Sequence, residues 1–202
     1  MAYAKAGRPV YDVQMGVQSK GGFSLIEVLV VLVLAATLLL LAVPGMRGFL
    51  AVARLDAAIA DFSGALALAR SESIRRGQRV SLRNLAGGRN WGSGWQMFVD
   101  TDSDGQLDVG ETVLRRQAAL SAPLSLYGNT NYANFLAFKA DGTVNQVGTF
   151  ILCHDGVLAE DGQSRSRALI VSWAGRVRLG QDGNGNGVPE KDSGEISSCI
   201  NP

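Results

Sequence analysis

The acidic segment from Asp100 to Glu111 places oxygen-bearing side chains at the spacing that a calcium ion requires. Its sequence, DTDSDGQLDVGE, has acids at positions 1, 3, 5, 9 and 12, glycine at position 6 and leucine at position 8, which is the template of an EF-hand loop. The segments on both sides have the composition of strands rather than helices. Two interpretations therefore stay open, a calcium site and an acidic hairpin loop. The ligands of a calcium site would be Asp100, Asp102, Asp104, Asp108 and Glu111.

A second polar segment, from Asp182 to Glu190, has a similar composition. Its sequence, DGNGNGVPE, again alternates oxygen-bearing side chains with glycine, but no acid occupies the twelfth position. The calcium template is therefore incomplete, and the segment is predicted to be a flexible loop.

Four arginines lie where a hairpin could bring them together. Arg176 and Arg178 alternate, so in a strand both project from one face, and Gly175 before them permits a tight turn. Arg165 and Arg167 begin the preceding strand, which would add two more guanidinium groups. Guanidinium binds phosphate through a planar, bidentate fork, so this pattern predicts contact with a DNA backbone without base recognition. The alternative is a solvated strand edge whose arginines oppose aggregation.

The tryptophans have different expected roles. Trp91 and Trp95 are expected to pack in the core or against a sheet. Trp173 precedes Arg176 by three residues, so its ring could stack on a base of single-stranded nucleic acid.

The cysteines and the single histidine form no recognisable catalytic or metal-binding motif. Cys153 and Cys199 lack CxxC spacing. If the body lies outside the cytoplasm, one disulfide is expected; two free thiols are the alternative. No nucleophile motif accompanies His154, so a catalytic triad is not expected. The sequence predicts a protein that is not an enzyme and needs no cofactor apart from the calcium considered above.

Residues 23–43 form an apolar run that contains one carboxylate, Glu27. At ~1.5 Å per helical residue the run spans roughly 30 Å, the thickness of a bilayer's hydrocarbon core. A carboxylate without a partner costs about 2.5 kcal/mol or more inside that core. Glu27 is therefore expected to have a partner and a function.

The formal charge of the chain is +1 and is divided unevenly. Residues 1–22 contain three basic residues and one acid, a net charge of +2, which leaves the remaining residues near −1. Any nucleic-acid binding by the body therefore needs a local basic patch.

The apolar pattern predicts one long helix followed by strands. After Pro44, apolar residues recur every three or four positions, which is typical of a helix with one face on a core. They are Phe49, Val52, Leu55, Ile59, Phe62, Leu66 and Ala69. Arg75 and Arg76 suit a helix C-terminus and Gly77 suits the residue after it, so the helix is predicted to run from about residue 23 to residue 76.

Eight strands are predicted after the helix, with hairpin turns at Asp141-Gly142 and Ala174-Gly175. The fold class is α+β, with one long N-terminal helix, membrane-embedded in its first half, before an antiparallel β-sheet body. The predicted strands are Arg79–Arg83, Gly94–Val99, Thr112–Gln117, Leu124–Tyr127, Phe135–Phe138, Thr149–Leu152, Ala168–Ser172 and Arg176–Leu179.

The junction between the polar N-terminal segment and the apolar run, Gly22-Phe23-Ser24-Leu25-Ile26-Glu27, resembles the signal of type IV prepilins and type II secretion pseudopilins. The resemblance implies that a prepilin peptidase cuts after Gly22 and methylates the amino group of Phe23. It also implies that the apolar run anchors the chain in the inner membrane and later enters a filament core. There the Glu27 carboxylate would pair with the N-terminus of a neighbouring subunit.

The body resembles the FimT/GspH branch of these proteins in the segments LARSESIRRG (residues 68–77), GWQMFVD (residues 94–100) and GRVR (residues 175–178). This resemblance implies a minor type IV pilin that binds DNA for natural transformation through Gly175, Arg176 and Arg178. The alternative is a structural subunit without DNA binding, either a pseudopilin of type II secretion or a pilus-priming subunit. The implied partners are other pilin subunits, the peptidase, the inner membrane and DNA, with the body in the periplasm.

The apolar pattern and the resemblance together divide the chain into four segments. Residues 1–22 would be the leader, 23–43 the membrane and filament-core helix, 44–77 an amphipathic helix, and 78–202 the β domain.

Overall fold

The structure is a computed structural model, which describes residues 22–202 and, within them, every side chain except those of residues 41–45 and 47. Apart from its last residue, the predicted leader lies outside the described residues. The chain divides into two compact units, with the boundary between Pro44 and Gly45. One helix, α1, runs from Leu25 to Arg76 and therefore contributes to both units.

The first unit contains the start of α1. The Ser24 side chain caps the helix, because its Oγ accepts a hydrogen bond from the Glu27 backbone N–H at 3.2 Å. Every described Phe, Leu, Ile and Val side chain from Phe23 to Leu40 is exposed, from 45% for Val28 to 82% for Phe23. Among residues 22–202, no helix is both long and apolar enough to cross a membrane.

In the second unit, one face of α1 is buried against the body at the predicted spacing. The buried positions are Ala51, Leu55, Ile59, Phe62, Ala65, Leu66 and Ala69. Phe49 is 73% exposed, so its predicted place on this face is wrong; the buried stripe begins at Ala51, one helical turn before Leu55.

The C-terminus of α1 is closed as predicted. Gly77 has a φ of +63°, and its N–H donates to the Ile74 carbonyl at 3.2 Å. The Gln78 N–H donates to the Ser73 carbonyl at the same distance. These two bonds form a Schellman motif, which satisfies carbonyl groups that the helix end would otherwise leave free.

All eight predicted strands are confirmed, with ends shifted by at most two residues. They are β1 (Val80–Asn84), β2 (Trp95–Val99), β3 (Val113–Gln117), β4 (Leu124–Gly128), β5 (Phe135–Phe138), β6 (Gly148–His154), β9 (Ser166–Val171) and β10 (Val177–Leu179). Two short ribbons were not predicted, β7 (Ala159–Glu160) with β8 (Gln163–Ser164) and β11 (Glu190–Lys191) with β12 (Gly194–Glu195). A 3₁₀ turn, Thr130–Tyr132, follows β4.

The strands form two antiparallel four-stranded sheets rather than the single sheet that the sequence suggests. The first has the order β3-β2-β1-β5 and the second the order β10-β9-β6-β4. The division occurs at β4, which pairs with β6 in the second sheet instead of extending the first beyond β3.

The helix and both sheets meet at Phe62. Its ring makes edge contacts with Trp95 of β2, Phe150 of β6 and Trp91, at centroid distances of 5.8, 4.9 and 6.0 Å. Trp91 and Trp95 are buried, which confirms their predicted place in the core. Aromatic pairs of this geometry add to the hydrophobic stabilisation of the core.

Candidate functional site

The predicted processing site lies where the described chain begins. Gly22 and Phe23 precede the cap of α1 and are exposed. Glu27 follows the Ser24 cap by three residues, which is the position of the acidic residue in a capping box. The bond recorded in the structure is the Ser24 half of such a box, from the Glu27 backbone N–H to the Ser24 hydroxyl. Glu27 also borders a shallow depression of about 270 Å³ with Phe23 and Val31. It is exposed and available to a partner.

The predicted disulfide is confirmed. Cys153 of β6 is bonded to Cys199, with a Cα–Cα distance of 6.0 Å. Both sulfurs lie in a small apolar cluster with Ile151, Ala168 and Ile196. The bond therefore attaches the C-terminal segment to the second sheet.

The predicted turn at Ala174-Gly175 is also confirmed. It joins β9 to β10, with the Ser172 N–H donating to the Arg176 carbonyl at 3.0 Å and the Gly175 N–H donating to the Ser172 carbonyl at 2.9 Å. Gly175 has a φ of +69°, a conformation that side chains disfavour. Glycine is required there by the backbone.

The hairpin register separates the two arginine pairs. Arg178 lies opposite Ile170, so Arg167 and Arg165 lie three and five residues further along the other arm. At about 3.3 Å per residue these offsets correspond to roughly 10 and 17 Å. The prediction that the hairpin brings all four guanidinium groups together is therefore wrong, because β9 continues well past the end of β10.

Three of these four arginines have carboxylate partners. Arg165 pairs with Glu160 at 3.0 Å and Arg167 with Asp56 at 2.7 Å, each arginine being largely buried. Arg178 pairs with Asp192 at the surface. Arg165 and Arg167 are thus engaged in ion pairs within the body, and both lie at the far end of the hairpin from Arg176.

Arg176 differs from the other three. It is exposed, and no carboxylate among the described residues lies within ion-pair distance of it. It borders an open groove of about 470 Å³ whose opposite wall is α1. The lining residues are Ser63, Ala67, Arg70, Ser71, Ile74, Gly175, Arg176 and Val177.

Arg70 supplies the second cationic side chain of this groove. It is half-buried, and its Nε donates to the Gly142 carbonyl at 3.1 Å. Sequence reasoning missed Arg70 because nothing local relates a helix residue to a hairpin more than 100 residues later. The signal available was its place in the LARSESIRRG segment that carries the family resemblance.

Trp173 lies on the same turn and is 62% exposed. It borders a different depression, of about 410 Å³, together with Asn131 and Lys191. The turn thus presents Arg176 to one depression and Trp173 to another. An exposed indole ring is compatible with the predicted stacking on a base.

The acidic loop between β2 and β3 brings three of its five candidate ligands together. Carboxylate oxygens of Asp100, Asp102 and Asp104 lie within 4.8 Å of one another. Asp100 is buried, whereas the other two are exposed. Asp108 and Glu111 are not in this group.

Glu111 instead closes the loop upon itself. Its Oε1 accepts the Thr101 N–H at 2.7 Å and its Oε2 accepts the Asp108 N–H at 3.1 Å. The pKa of Asp108 is raised by partial desolvation and by the negative charges of the neighbouring acids, Asp104 foremost. The acids of the loop therefore repel one another.

Side-chain hydrogen bonds fix the conformation of the second polar loop. The sequence-based prediction of a flexible loop did not include these bonds. Asp182 accepts backbone N–H groups of Gly185, Asn186 and Gly187 at 2.7–3.1 Å. The Asn186 amide donates to Glu195 at 2.7 Å.

His154, elsewhere in the body, contacts Asp155 at 2.8 Å through Nδ1.

A long N-terminal helix whose second half packs on an antiparallel body defines the type IV pilin fold. The family model of the type II transport protein GspH matches residues 58–175, more than half of the chain, and the chain belongs to this family. The model of the prokaryotic N-terminal methylation motif matches residues 18–43, which include the predicted cleavage site and apolar run.

The chain is also similar to solved structures of the type IV minor pilin FimU from Pseudomonas aeruginosa. One crystal form has 26% identity and a TM-score of 0.54, covering 72% of this chain and 95% of FimU. The other has 27% identity and a TM-score of 0.51, covering 72% and 100%. No curated protein matches the chain significantly. Family and fold are thus those of minor pilins and pseudopilins, which are structural proteins.

Proposed function

We propose that the chain is a non-enzymatic minor pilin, which a prepilin peptidase cuts after Gly22 and which is then built into a type IV filament. The observation that carries this proposal is the exposed apolar surface of α1 from Phe23 to Leu40. A helix that is apolar on all sides needs a non-aqueous environment. Lipid of the inner membrane supplies it before assembly, with the body in the periplasm, and helices of neighbouring subunits supply it afterwards.

Cleavage and incorporation can be tested in cells that make the filament. The mature chain is expected to begin with N-methylated Phe23 in mass spectra and to be found in sheared filaments on immunoblots. Gly22→Val should block cleavage, because a bulky residue replaces the one beside the cut bond. Gly21→Val is the matched control and should still be cut. An uncut chain in the filaments, or a different mature N-terminus, would contradict the proposal.

A second candidate function, contact with DNA, is favoured by the arginine beside the groove. Arg176 is exposed, without a carboxylate partner among the described residues, and Arg70 borders the same groove. Two guanidinium groups around one open groove can bind phosphate oxygens. Arg178 can bind a phosphate oxygen only after its ion pair with Asp192 is broken. Exposed ion pairs contribute about 0–1 kcal/mol, so a phosphate can displace that carboxylate at little cost.

The DNA site proposed here is smaller than the four-arginine cluster that the sequence predicts. Arg176 is its centre, Arg70 and Arg178 flank it, and Gly175 shapes the turn. Trp173 adds a stacking surface for single-stranded DNA. Arg165 and Arg167 are not part of the site, because they form ion pairs with Glu160 and Asp56.

Gel retardation by the full-length protein in detergent, at low salt, tests the DNA contact. Arg176→Ala combined with Arg178→Ala should abolish retardation. Arg54→Ala combined with Arg116→Ala removes the same charge from exposed positions on α1 and β3 and should leave retardation unchanged. Equal loss in both double variants would indicate unspecific attraction of charge, against the proposed site.

Retardation that persists in Arg176→Ala/Arg178→Ala would also contradict the site. The remaining interpretation would then be a structural subunit that binds only protein, in a pilus or in the pseudopilus of type II secretion. The first proposal would be unaffected, because cleavage and filament incorporation are measured separately. Trp173→Ala should weaken retardation of single-stranded DNA more than that of duplex DNA, since only unstacked bases can stack on the ring.

A further inference from the structure

The loop between β2 and β3 contains a buried carboxylate with one unused oxygen. Asp100 is 1% exposed. Its Oδ2 accepts the Ser81 hydroxyl and the Gly105 N–H, the latter at 3.2 Å, and lies 3.0 Å from Arg79 Nε. Its Oδ1 is buried too and accepts no hydrogen bond from any residue that the structure describes.

A buried carboxylate oxygen without a hydrogen-bond donor favours contact with a cation. Buried polar atoms are nearly always hydrogen-bonded, and the rare exceptions commonly mark a water or ion site. Ligand oxygens of Asp102 and Asp104 lie within 4.8 Å of one from Asp100. One carboxylate oxygen from each of the three aspartates therefore lies around one point, and the Asp100 carboxylate has an oxygen to spare.

The loop turns sharply at Gly105, where only glycine fits. Gly105 has a φ of +73°, and a side chain there would lie 2.7 Å from the Phe135 ring. This residue is the glycine of position 6 in the EF-hand template, where the chain turns sharply. Arg83 holds the turn through a 2.8 Å hydrogen bond from Nη1 to the Gly105 carbonyl.

We propose that this loop binds one calcium ion through Asp100, Asp102 and Asp104, with the Gln106 carbonyl, Asp108 and Glu111 completing the ligand set at positions 7, 9 and 12. Calcium is favoured over magnesium because it accepts six to eight oxygen ligands in flexible geometry, and this loop offers at least that many. The binding is independent of cleavage, assembly and DNA contact.

Relief of repulsion supplies the driving force. Five carboxylates are present on twelve residues, and Arg79 is the one cation paired with any of them in the described structure. To act as the bidentate acid of position 12, Glu111 has to give up its bonds to the Thr101 and Asp108 N–H groups.

Calcium would also stiffen the first sheet. Asp100 connects the loop to β1 through Arg79 and Ser81. An ion held by Asp100 and by the exposed half of the loop therefore couples the β2–β3 connection to the centre of the sheet. The thermal midpoint of the protein should rise when calcium is added, because a ligand that binds only the folded state stabilises it.

Calorimetry on the full-length protein in detergent, freed of metal with EDTA, tests the proposal. Calcium should bind with a stoichiometry of one and a Kd of about 0.1–1 mM, the range of extracellular calcium modules. Magnesium at equal concentration should give a clearly smaller rise in Tm. Absence of calcium binding, or an equal response to magnesium, would overturn the proposal.

Variants locate the site. Asp102→Asn combined with Asp104→Asn should weaken calcium binding by at least about tenfold, because affinity follows the number of charged ligands. Both side chains are exposed, so the fold should persist, as an unchanged circular dichroism spectrum would show. Asp155→Asn combined with Asp161→Asn removes the same charge from two other exposed loop positions and should bind calcium as the wild type does. Equal weakening in both double variants, or none in the first, would overturn the assignment.

Discussion

Gly175, in the turn between β9 and β10, lies directly against the carbonyl oxygen of Gly142, in the turn after β5. Arg70 of α1 donates to that same oxygen at 3.1 Å. The helix and one turn from each sheet therefore meet at a single carbonyl group. The glycine of the GRVR segment is required for this contact as well as for its own turn.

We predict that Gly175→Ala destabilises the body by about 2 kcal/mol or more. A left-handed conformation costs a residue with a side chain about 1–2 kcal/mol. In addition, the new Cβ would overlap the Gly142 oxygen and press on Arg70, and backbone atoms cannot move away as a flexible side chain can. Denaturant unfolding of the full-length protein in detergent measures the change.

Gly87→Ala is the matched control. Gly87 has a similar φ of +73°, but a Cβ there would meet no atom within 4 Å. This variant should lose only the conformational part, about 1–2 kcal/mol. Equal losses in the two variants would mean that Gly175 is required by its turn alone and that the contact with Gly142 adds nothing.

Breaking the Cys153–Cys199 disulfide should lower the stability of the body by about 2–4 kcal/mol. The bond closes a loop across a sequence separation of 46 residues, and both cysteines are buried, so the unfolded chain gains much freedom when it opens. Thermal unfolding with and without a reductant measures the loss. Cys153→Ala combined with Cys199→Ala should match the reduced wild type. No change on reduction would mean that the C-terminal segment is held by packing alone.

Glu72 should contribute to stability in a defined pH range. Hydrogen bonds from Arg75 and then Arg76 lower its pKa from an ordinary value of 4.5 to about 2. A folded-state pKa below the unfolded one gives stability that is complete above pH 4.5 and is lost as the pH falls towards 2. Glu72→Gln should therefore lower Tm at neutral pH and have no effect near pH 2. The shift should be small, because the pair lies at the surface.

Asp161→Asn controls for the lost charge in that experiment. Asp161 is exposed and forms no ion pair among the residues that the structure describes. Its variant should leave Tm unchanged at both pH values. A Tm difference for Glu72→Gln that stays constant down to pH 2 would contradict the role assigned to the arginines.

The helix and strands of this chain are predictable from sequence because local signals determine them. Gly77 ends α1 at the position expected of a Schellman glycine, and β5 has the predicted bounds, Phe135–Phe138. The ribbons β7–β8 and β11–β12 have two-residue strands without apolar alternation, so no periodic signal marks them.

The arrangement of the sheets and of the basic residues could not be predicted in this way. Strand pairing is non-local, so nothing near β4 indicates that it leaves the first sheet to pair with β6. The partners of Arg167 and Arg178, Asp56 and Asp192, are 111 and 14 residues away in sequence. Alternation within a strand indicates which face of the sheet an arginine lies on. It cannot indicate whether that arginine forms an ion pair with a carboxylate.

Two variants of Glu27 should separate a role in the helix cap from a role in assembly. Glu27→Gln keeps a side chain that suits the capping box but removes the charge. Glu27→Ala removes both. If the carboxylate pairs with the N-terminus of Phe23 in a neighbouring subunit, both variants should be cleaved normally and both should be depleted from sheared filaments by at least about tenfold. Removing one partner of a buried ion pair costs about 3–5 kcal/mol.

Ser24→Ala completes the comparison, because it removes the capping hydroxyl and leaves the Glu27 charge. A lost cap costs the helix about 1 kcal/mol, less than the ~3–5 kcal/mol of a broken buried ion pair, so this variant should be cleaved and incorporated nearly as the wild type is. Normal incorporation of Glu27→Gln together with depletion of Glu27→Ala and Ser24→Ala would assign Glu27 to the cap. In that case the intersubunit ion pair would be excluded, because a neutral amide cannot replace the carboxylate opposite a charged amino group.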